Sequence, residues 1–391
     1  MRIQAIHEIS VPLAGNVANA VVSFASHTVS LLALVSDQQR NGRPVCGIAF
    51  NSIGRFAQSG ILKERMIPRL LDADPATLLD ADEKFLAPER VAAVAMQNEK
   101  PGGHGDRAHA VAALELATWD LNAKLQDEPA CITIARACLQ QAPSGDGVEI
   151  YAAGGYYYAE DSTTRLREEL EAYQQAGFER FKIKIGGAPL AADLRRIETA
   201  IEVAGCSTAV AVDANARFSL DQALEYADAL AGYDLGWFEE PCDPLDFASL
   251  CTLIEAYPGA IATGENLFSA GDSANLIRFG GLRPDCDLLQ MDPGLMYGIT
   301  EYLHMLTDIE ANGFNRSACV PHGGHMINLH VVSALGLGGC EAYPGVFQPF
   351  GGFAPQCQLG NSRAAPTDAP GFGLEQKPEL KPHIDRLLEA C

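Results

Sequence analysis

Phe181-Lys182-Ile183-Lys184-Ile185-Gly186-Gly187 alternates strictly and then stops on two glycines. Residues two apart in a strand point to one face. Lys182 and Lys184 therefore project side by side, with Phe181, Ile183 and Ile185 on the other face. Two adjacent ammonium groups repel, which predicts a lowered pKa for each. A lysine so lowered is a base near neutral pH. On its own the heptapeptide also fits an edge strand with solvated lysines, so its surroundings decide.

From about residue 147 onward, short apolar runs ending in polar or glycine clusters alternate with helical segments. The runs are 148–158, 181–185, 208–212, 235–238, 260–263, 287–290, 318–320 and 340–343. Eight strands alternating with helices predict a parallel sheet with right-handed crossovers, and their spacing fits a (β/α)₈-type barrel. An open doubly wound sheet is the competing architecture, but no GxGxxG follows an early strand. Upstream, residues 1 to about 60 read as strands and turns, and 60–128 as helices, most clearly Ala108–Lys124. The expected organisation is an α+β domain over 1–128, a barrel over 147–355 and a segment 356–391 that packs back on the first domain.

Catalytic groups of such barrels sit where the strands end. The ends read Lys182/Lys184, then Asp213-Ala214-Asn215, Glu239-Glu240-Pro241, Gly264-Glu265-Asn266, Gln290-Met291-Asp292 and Pro321-His322-Gly323. Asp213, Glu239 and Glu265 recur at a constant step of 26 residues. That places one carboxylate on each of three neighbouring strands at similar height. Three carboxylates at one mouth call for a cation, and hard oxygen ligands suit Mg²⁺. Glu240, one residue past Glu239, is expected to face away or stand behind the ligands. His322 directly follows the apolar Cys319-Val320, where a strand end belongs. His325 lies past two glycines and is expected to open a helix, and His304 falls within one.

The set KIK, VDAN, FEEP, TGEN, QMD and PHG, in this order and spacing, resembles the enolase superfamily in its mandelate racemase-type branch. The resemblance spans the chain and implies a (β/α)₇β modified TIM barrel with an N-terminal α+β capping domain completed by the C-terminal segment. Sites of that superfamily combine a Lys or His base with Mg²⁺ that stabilises an enediolate. By resemblance, Lys184 removes the α-proton, Lys182 polarises the substrate carboxylate, and His322, oriented by Asp292, serves from the opposite face. The segments NEKPGGHG (98–105), YAAGGYYY (151–158), KIGGAP (184–189), PHGGH (321–325) and EAYP (341–344) resemble D-tartrate dehydratases. They imply hydro-lyase chemistry on an acid sugar, D-tartrate to oxaloacetate foremost. The same residues could racemise or epimerise a 2-hydroxy acid, or dehydrate another aldarate or aldonate. A non-catalytic protein on the same fold would not need the complete set. Lys100, Tyr156, Arg55, Glu341 and Asn215 are the candidates for holding the substrate. The capping loops 16–24 and 51–55 depart most from the tartrate enzymes, with Val21 and Ile53 at positions expected to be polar or aromatic.

Composition narrows the partners. The chain has 391 residues, 48% hydrophobic, and a net charge of −22, which argues against nucleic acid and anionic membranes. No apolar run is long enough for a leader or a membrane span. Eleven cysteines without a CxxC pair fit reduced thiols in the cytoplasm. A small dicarboxylate or acid-sugar substrate and a homo-oligomer are expected.

Overall fold

A computed structural model describes residues 1–15, 17–139, 142, 143, 145, 147–158 and 162–389. Asn16, which opens the loop 16–24, and Ala390 and Cys391 of the C-terminal segment lie outside them. The chain begins with an antiparallel sheet, β1 (Ile3–Pro12), β2 (Thr28–Arg40) and β3 (Arg43–Phe50), in that spatial order. The helix Asp106–Gln126 packs on β2 and β3. Every side chain from Ala108 to Ala123 is buried. The helix is thus sandwiched, with the sheet on one side and Pro88–Ala95, Ala130–Leu139 and Ile299–Ala311 elsewhere around it. Gly47 permits the close approach of β3, because a Cβ there would lie 2.0 Å from the Ala117 carbonyl oxygen. Asp120 ties the layers together. Its carboxylate accepts from Ile48 N (2.7 Å) and from Phe372 N (2.6 Å).

The barrel is built from β4 (Val148–Gly154), β5 (Phe181–Lys184), β6 (Val210–Asp213), β7 (Phe238–Glu239), β8 (Ile261–Thr263), β9 (Leu288–Leu289) and β10 (Cys340–Ala342). These strands pair in parallel in sequence order, and β10 closes on β4. They are short and mostly buried on both faces, as parallel strands covered by helices must be. The seventh position is not the regular strand expected over 318–320. Asn315 caps a 3₁₀ turn at Arg316–Ala318 through Ser317 N (2.9 Å), and Pro321 has no N–H to extend a ladder. Position seven joins the ring by one bridge, Leu289–Cys319, with Gly338 N donating to Cys319 O on its other side (2.9 Å). The third strand also starts later than expected, since Ser207–Ala209 is a 3₁₀ turn.

Helices follow each barrel position up to the seventh. Their starts carry side-chain caps where the sequence offers them, including a Ser219/Gln222 capping box and caps by Asp246 and Ser269. The C-terminal residues divide between the two layers. The strands β11 (Gln358–Gly360) and β12 (Arg363–Ala365) form a hairpin whose β12 runs antiparallel to β4, while the helix Lys381–Leu388 packs on β1 and β2. The architecture is therefore a modified TIM barrel with a capping domain. Among the described residues no helix is long and apolar enough to cross a membrane, and the ten described cysteines are free thiols.

Candidate active site

Strand register brings the site together. Lys184 on β5 lies opposite Asp213 on β6, and Asp213 lies opposite Glu239 on β7. Paired residues of parallel strands share a face, so all three point into the barrel mouth. Lys182 Nζ reaches Glu341 Oε1 (2.7 Å) and Asp213 Oδ2 (3.8 Å) and also pairs with Glu239. Lys184 Nζ pairs with Asp213 Oδ2 at 2.5 Å. Asn215, held at φ +46°, donates its backbone N–H and its side-chain amide to Asp213 (2.8 and 3.1 Å). Glu239 accepts from Gln290 Nε2 (2.6 Å) and Trp237 Nε1 (2.8 Å).

The lysine pKa values run opposite to the expectation from lysine–lysine repulsion. Burial alone would lower both, but the carboxylates they touch outweigh it. Lys182 is raised by Glu239 and Glu341, and Lys184 by Asp213. The converse holds for Asp213, where burial is outweighed by the two ammonium groups and the carboxyl is held below its usual range. Burial pushes Glu239 up to about 8, aided by the charges of Asp213, Glu265 and Glu341 against the pull of Lys182.

His322 stands at position seven. Its Nδ1 donates to Asp292 Oδ2 (3.3 Å), and Asp292 is held in turn by Gly294 N (2.8 Å) and Asn328 Nδ2 (3.2 Å). Burial disfavours a charged ring, but Glu265, Asp292 and Glu341 outweigh it and bring the His322 pKa up to about 9. Glu265 Oε2 lies 3.9 Å from His322 Nε2. His325 opens the helix Met326–Leu335, with Nε2 hydrogen-bonded to Ser52 Oγ (2.9 Å). Burial lowers its pKa to about 4, so it stays neutral. His304 is solvent-facing on the helix Ile299–Ala311.

One cleft of about 240 Å³ opens between the capping loops and the barrel mouth. Lys184, Tyr156, Asn215, Glu265 and His322 line it from the barrel, and Ile53 and Arg55 from the cap. Arg55 donates to Gly54 O (2.9 Å) and to Asn266 Oδ1, and its guanidinium lies 5.3 Å from the Phe268 ring centre. Tyr156 lies under Lys184, with Nζ 5.6 Å from its ring centre. Glu341 is buried beneath the cleft, where it holds Lys182 and accepts from Gly323 N (2.9 Å).

Lys100 is not brought to this cleft. Arg107 grips the carbonyls of Lys100 and Gly102, and the turn at Gly102 and Gly103 (φ +75° and +60°) leaves Lys100 exposed beside His104 and Tyr297. Glu240 departs from expectation in the other direction. A left-handed backbone (φ +36°) turns it into the cleft, where both its oxygens accept from Asn266 Nδ2 at 2.8 Å. Sequence reasoning missed Tyr343, whose hydroxyl is 3.2 Å from His322 Nε2, and Gln290 on Glu239. A signal existed for both. Tyr343 is two residues past Glu341, and Gln290 two before Asp292, so each shares the inward face of a residue already singled out.

Among the described residues no three His, Cys, Asp or Glu side chains form a ready-made metal cage, because the two lysines lie between the carboxylates. The donor set nevertheless fits a hard divalent cation. Asp213, Glu239 and Glu265 offer carboxylate oxygens at one mouth, and Glu240, Asp292 and Glu341 add further buried acids that two lysines do not balance.

Comparison with known proteins agrees with this fold. Residues 165–380 match the family described as enolase C-terminal domain-like. The chain is 30% identical over 236 residues to a 3,6-anhydro-α-L-galactonate cycloisomerase of Streptomyces coelicolor, spanning 60% of either protein. It is 28% identical over 241 residues to an arabinonate dehydratase of Saccharolobus solfataricus, again 60% of each. An L-talarate/galactarate dehydratase of Salmonella typhimurium is 24% identical over 367 residues, 93% of this chain and 85% of that protein. Among solved structures, a Streptomyces coelicolor racemase with bound magnesium superposes with a TM-score of 0.76 at 21% identity, covering 98% of both chains. An L-talarate dehydratase of Polaromonas complexed with Mg and L-glucarate gives 0.75 at 21% identity, covering 94% and 92%. The family match extends over more than half of the chain, through every barrel position from β5 to β10, and by it the chain belongs to the enolase superfamily.

Proposed function

We propose that this protein is a Mg²⁺-dependent hydro-lyase that dehydrates an acid sugar, with D-tartrate to oxaloacetate as the first reaction to test. The observation that carries the reading is a single cleft lined by both Lys184 and His322, five barrel positions apart, with Glu265 in its wall and Asp213 and Glu239 buried on the strands next to Lys184. Support also comes from relatives that are dehydratases of arabinonate, talarate/galactarate and galactonate. Other aldarates and aldonates therefore stand beside D-tartrate as substrates.

Asp213, Glu239 and Glu265 would hold the metal. Bound there, Mg²⁺ supplies positive charge against the substrate carboxylate and makes the α-proton acidic enough to remove. Lys182, pinned by Glu341 and Glu239, presents a fixed cation where the enediolate develops charge. Lys184 takes the α-proton. It must be neutral to do so; Asp213 raises its pKa, and a cation held at Asp213 would lower it, because like charges disfavour the ammonium form. His322, charged at neutral pH, delivers a proton to the departing β-hydroxyl. The enol that remains becomes the keto acid. Arg55, the guanidinium in the cleft wall, would meet a distal carboxylate, with Tyr156 and Asn215 beside it.

The test is a keto-acid assay over mono- and diacid sugars, including the tartrate stereoisomers, galactarate and arabinonate, with and without Mg²⁺. Mg²⁺-dependent keto-acid formation from at least one acid sugar is expected. Racemisation without keto acid would replace the dehydratase reading, and silence across the panel would sink it.

A further inference from the structure

Tyr343 is an unassigned group at the reacting nitrogen. With Asp292 on Nδ1, the nitrogen of His322 that faces the cleft is Nε2, and the Tyr343 hydroxyl lies 3.2 Å from it. The phenol ring is fixed in place. It packs edge-on to Phe347 (ring centres 4.8 Å apart, 74°), and it lies so close to the backbone of the His322 loop that a Cβ on Gly324 would meet it at 2.6 Å. Tyr343 lines the same cleft as Lys184 and His322 while its side chain is otherwise buried. Packing alone would be served as well by phenylalanine. The hydroxyl adds a donor and acceptor beside Nε2, where it also hydrogen-bonds Glu341.

Resting on the dehydratase reading, we propose that Tyr343 is a further catalytic residue that relays the His322 proton to the leaving hydroxyl. After Lys184 has taken the α-proton, the enediolate electron pair forms the carbon–carbon double bond. The β-carbon–oxygen bond breaks and its pair leaves with oxygen. That oxygen takes the Tyr343 phenolic proton and departs as water. The phenolic oxygen takes the Nε2 proton, leaving His322 neutral. Charge and protons balance, and no group outside the chain and substrate is needed for this step.

The test uses the full-length enzyme with Mg²⁺ and the acid sugars that wild type turns over, in D₂O. Proton magnetic resonance follows α-hydrogen exchange, and a keto-acid assay follows elimination. For Tyr343→Phe the expected result is elimination reduced about 10²-fold or more with α-exchange retained, since general acid catalysis contributes on the order of 10²–10⁴. Replacing Tyr343 by 2,3-difluorotyrosine, which keeps the ring and hydroxyl, should restore elimination that Tyr343→Phe loses. Elimination by Tyr343→Phe within threefold of wild type would overturn the relay, as would difluorotyrosine that leaves elimination as low as in Tyr343→Phe. Exchange and elimination lost in equal measure would instead make Tyr343 a structural prop. The dehydratase reading fails separately, in wild type, if no acid sugar yields a keto acid, and the relay falls with it.

Discussion

At Lys184 and His322 the division of labour is directly testable. Lys184→Ala should reduce α-hydrogen exchange in D₂O by at least about 10²-fold, the scale of a lost general base. Exchange that persists would move the base to His322. His322→Asn should stop keto-acid formation while exchange through Lys184 continues, and elimination that survives would show that His322 is not the source of the proton. A pH dependence follows from the same residue. His322 donates only when charged, and its pKa is brought up to about 9. Elimination should therefore hold through neutral pH and fall as the pH rises through about 9. A profile flat from pH 7 to 10 would contradict it. Where the acids gather was largely legible here, because they recur with the period of one strand-helix unit. What their neighbours do to them was not. The lysine pKa values depend on Asp213, Glu239 and Glu341 meeting in space from three other strands, and no local spacing reports that. Lys100 and Glu240 turned on backbone handedness at single turns, which residue type alone does not set.

Helix Ile299–Ala311 begins without a cap of its own, after Gly298 at φ +100°. Its first N–H groups are satisfied from another element. Glu115, buried in the helix Asp106–Gln126, accepts from Ile299 N (3.0 Å), Thr300 N (2.9 Å) and Thr300 Oγ1 (2.8 Å). A carboxylate at a helix N-terminus meets both the open donors and the helix dipole. Glu115→Ala leaves these donors and Trp119 Nε1 without partners in the interior. The variant should lose about 2–4 kcal/mol of stability, read as the urea midpoint at an unchanged m-value. A loss under about 0.5 kcal/mol would show that water replaces the carboxylate. This contact was invisible in sequence because the two partners are 184 residues apart. The barrel strands were legible because each is an apolar run ended by a polar cluster. Position seven was the exception, since its apolar Ala318–Val320 stretch is bounded by an Asn-capped turn and Pro321 rather than by ladder partners.

For the whole molecule, buried histidines set a cost in acid. His330 lies fully buried, with Nδ1 accepting from Cys131 N (3.3 Å), and burial lowers its pKa to about 3. The unfolded chain protonates near 6.5, so below that pH the unfolded state binds a proton that the folded state refuses. Stability held by the neutral ring is present above pH 6.5 and is lost as the pH falls toward 3. His330→Asn removes this term. Its stability relative to wild type should improve by about 1.4 kcal/mol per pH unit between 6 and 4, and a pH-independent difference would refute the assignment. The division into a capping layer and a barrel could be read from the change of period near residue 147. The route of the last segment could not, since β12 pairs with β4 while the final helix reaches β1 and β2.

That final contact bears on synthesis. The middle of β2 is buried on both faces, and one of its partners is the helix Lys381–Leu388, which begins 341 residues after Arg40. A ribosome adding about 5–20 residues per second needs on the order of 20–70 s to make that stretch. During that interval Val29 and Leu31–Leu34 belong to a sheet without its full cover. The nascent protein therefore carries a sticky early segment, and holding chaperones would be expected to engage it before the barrel is complete.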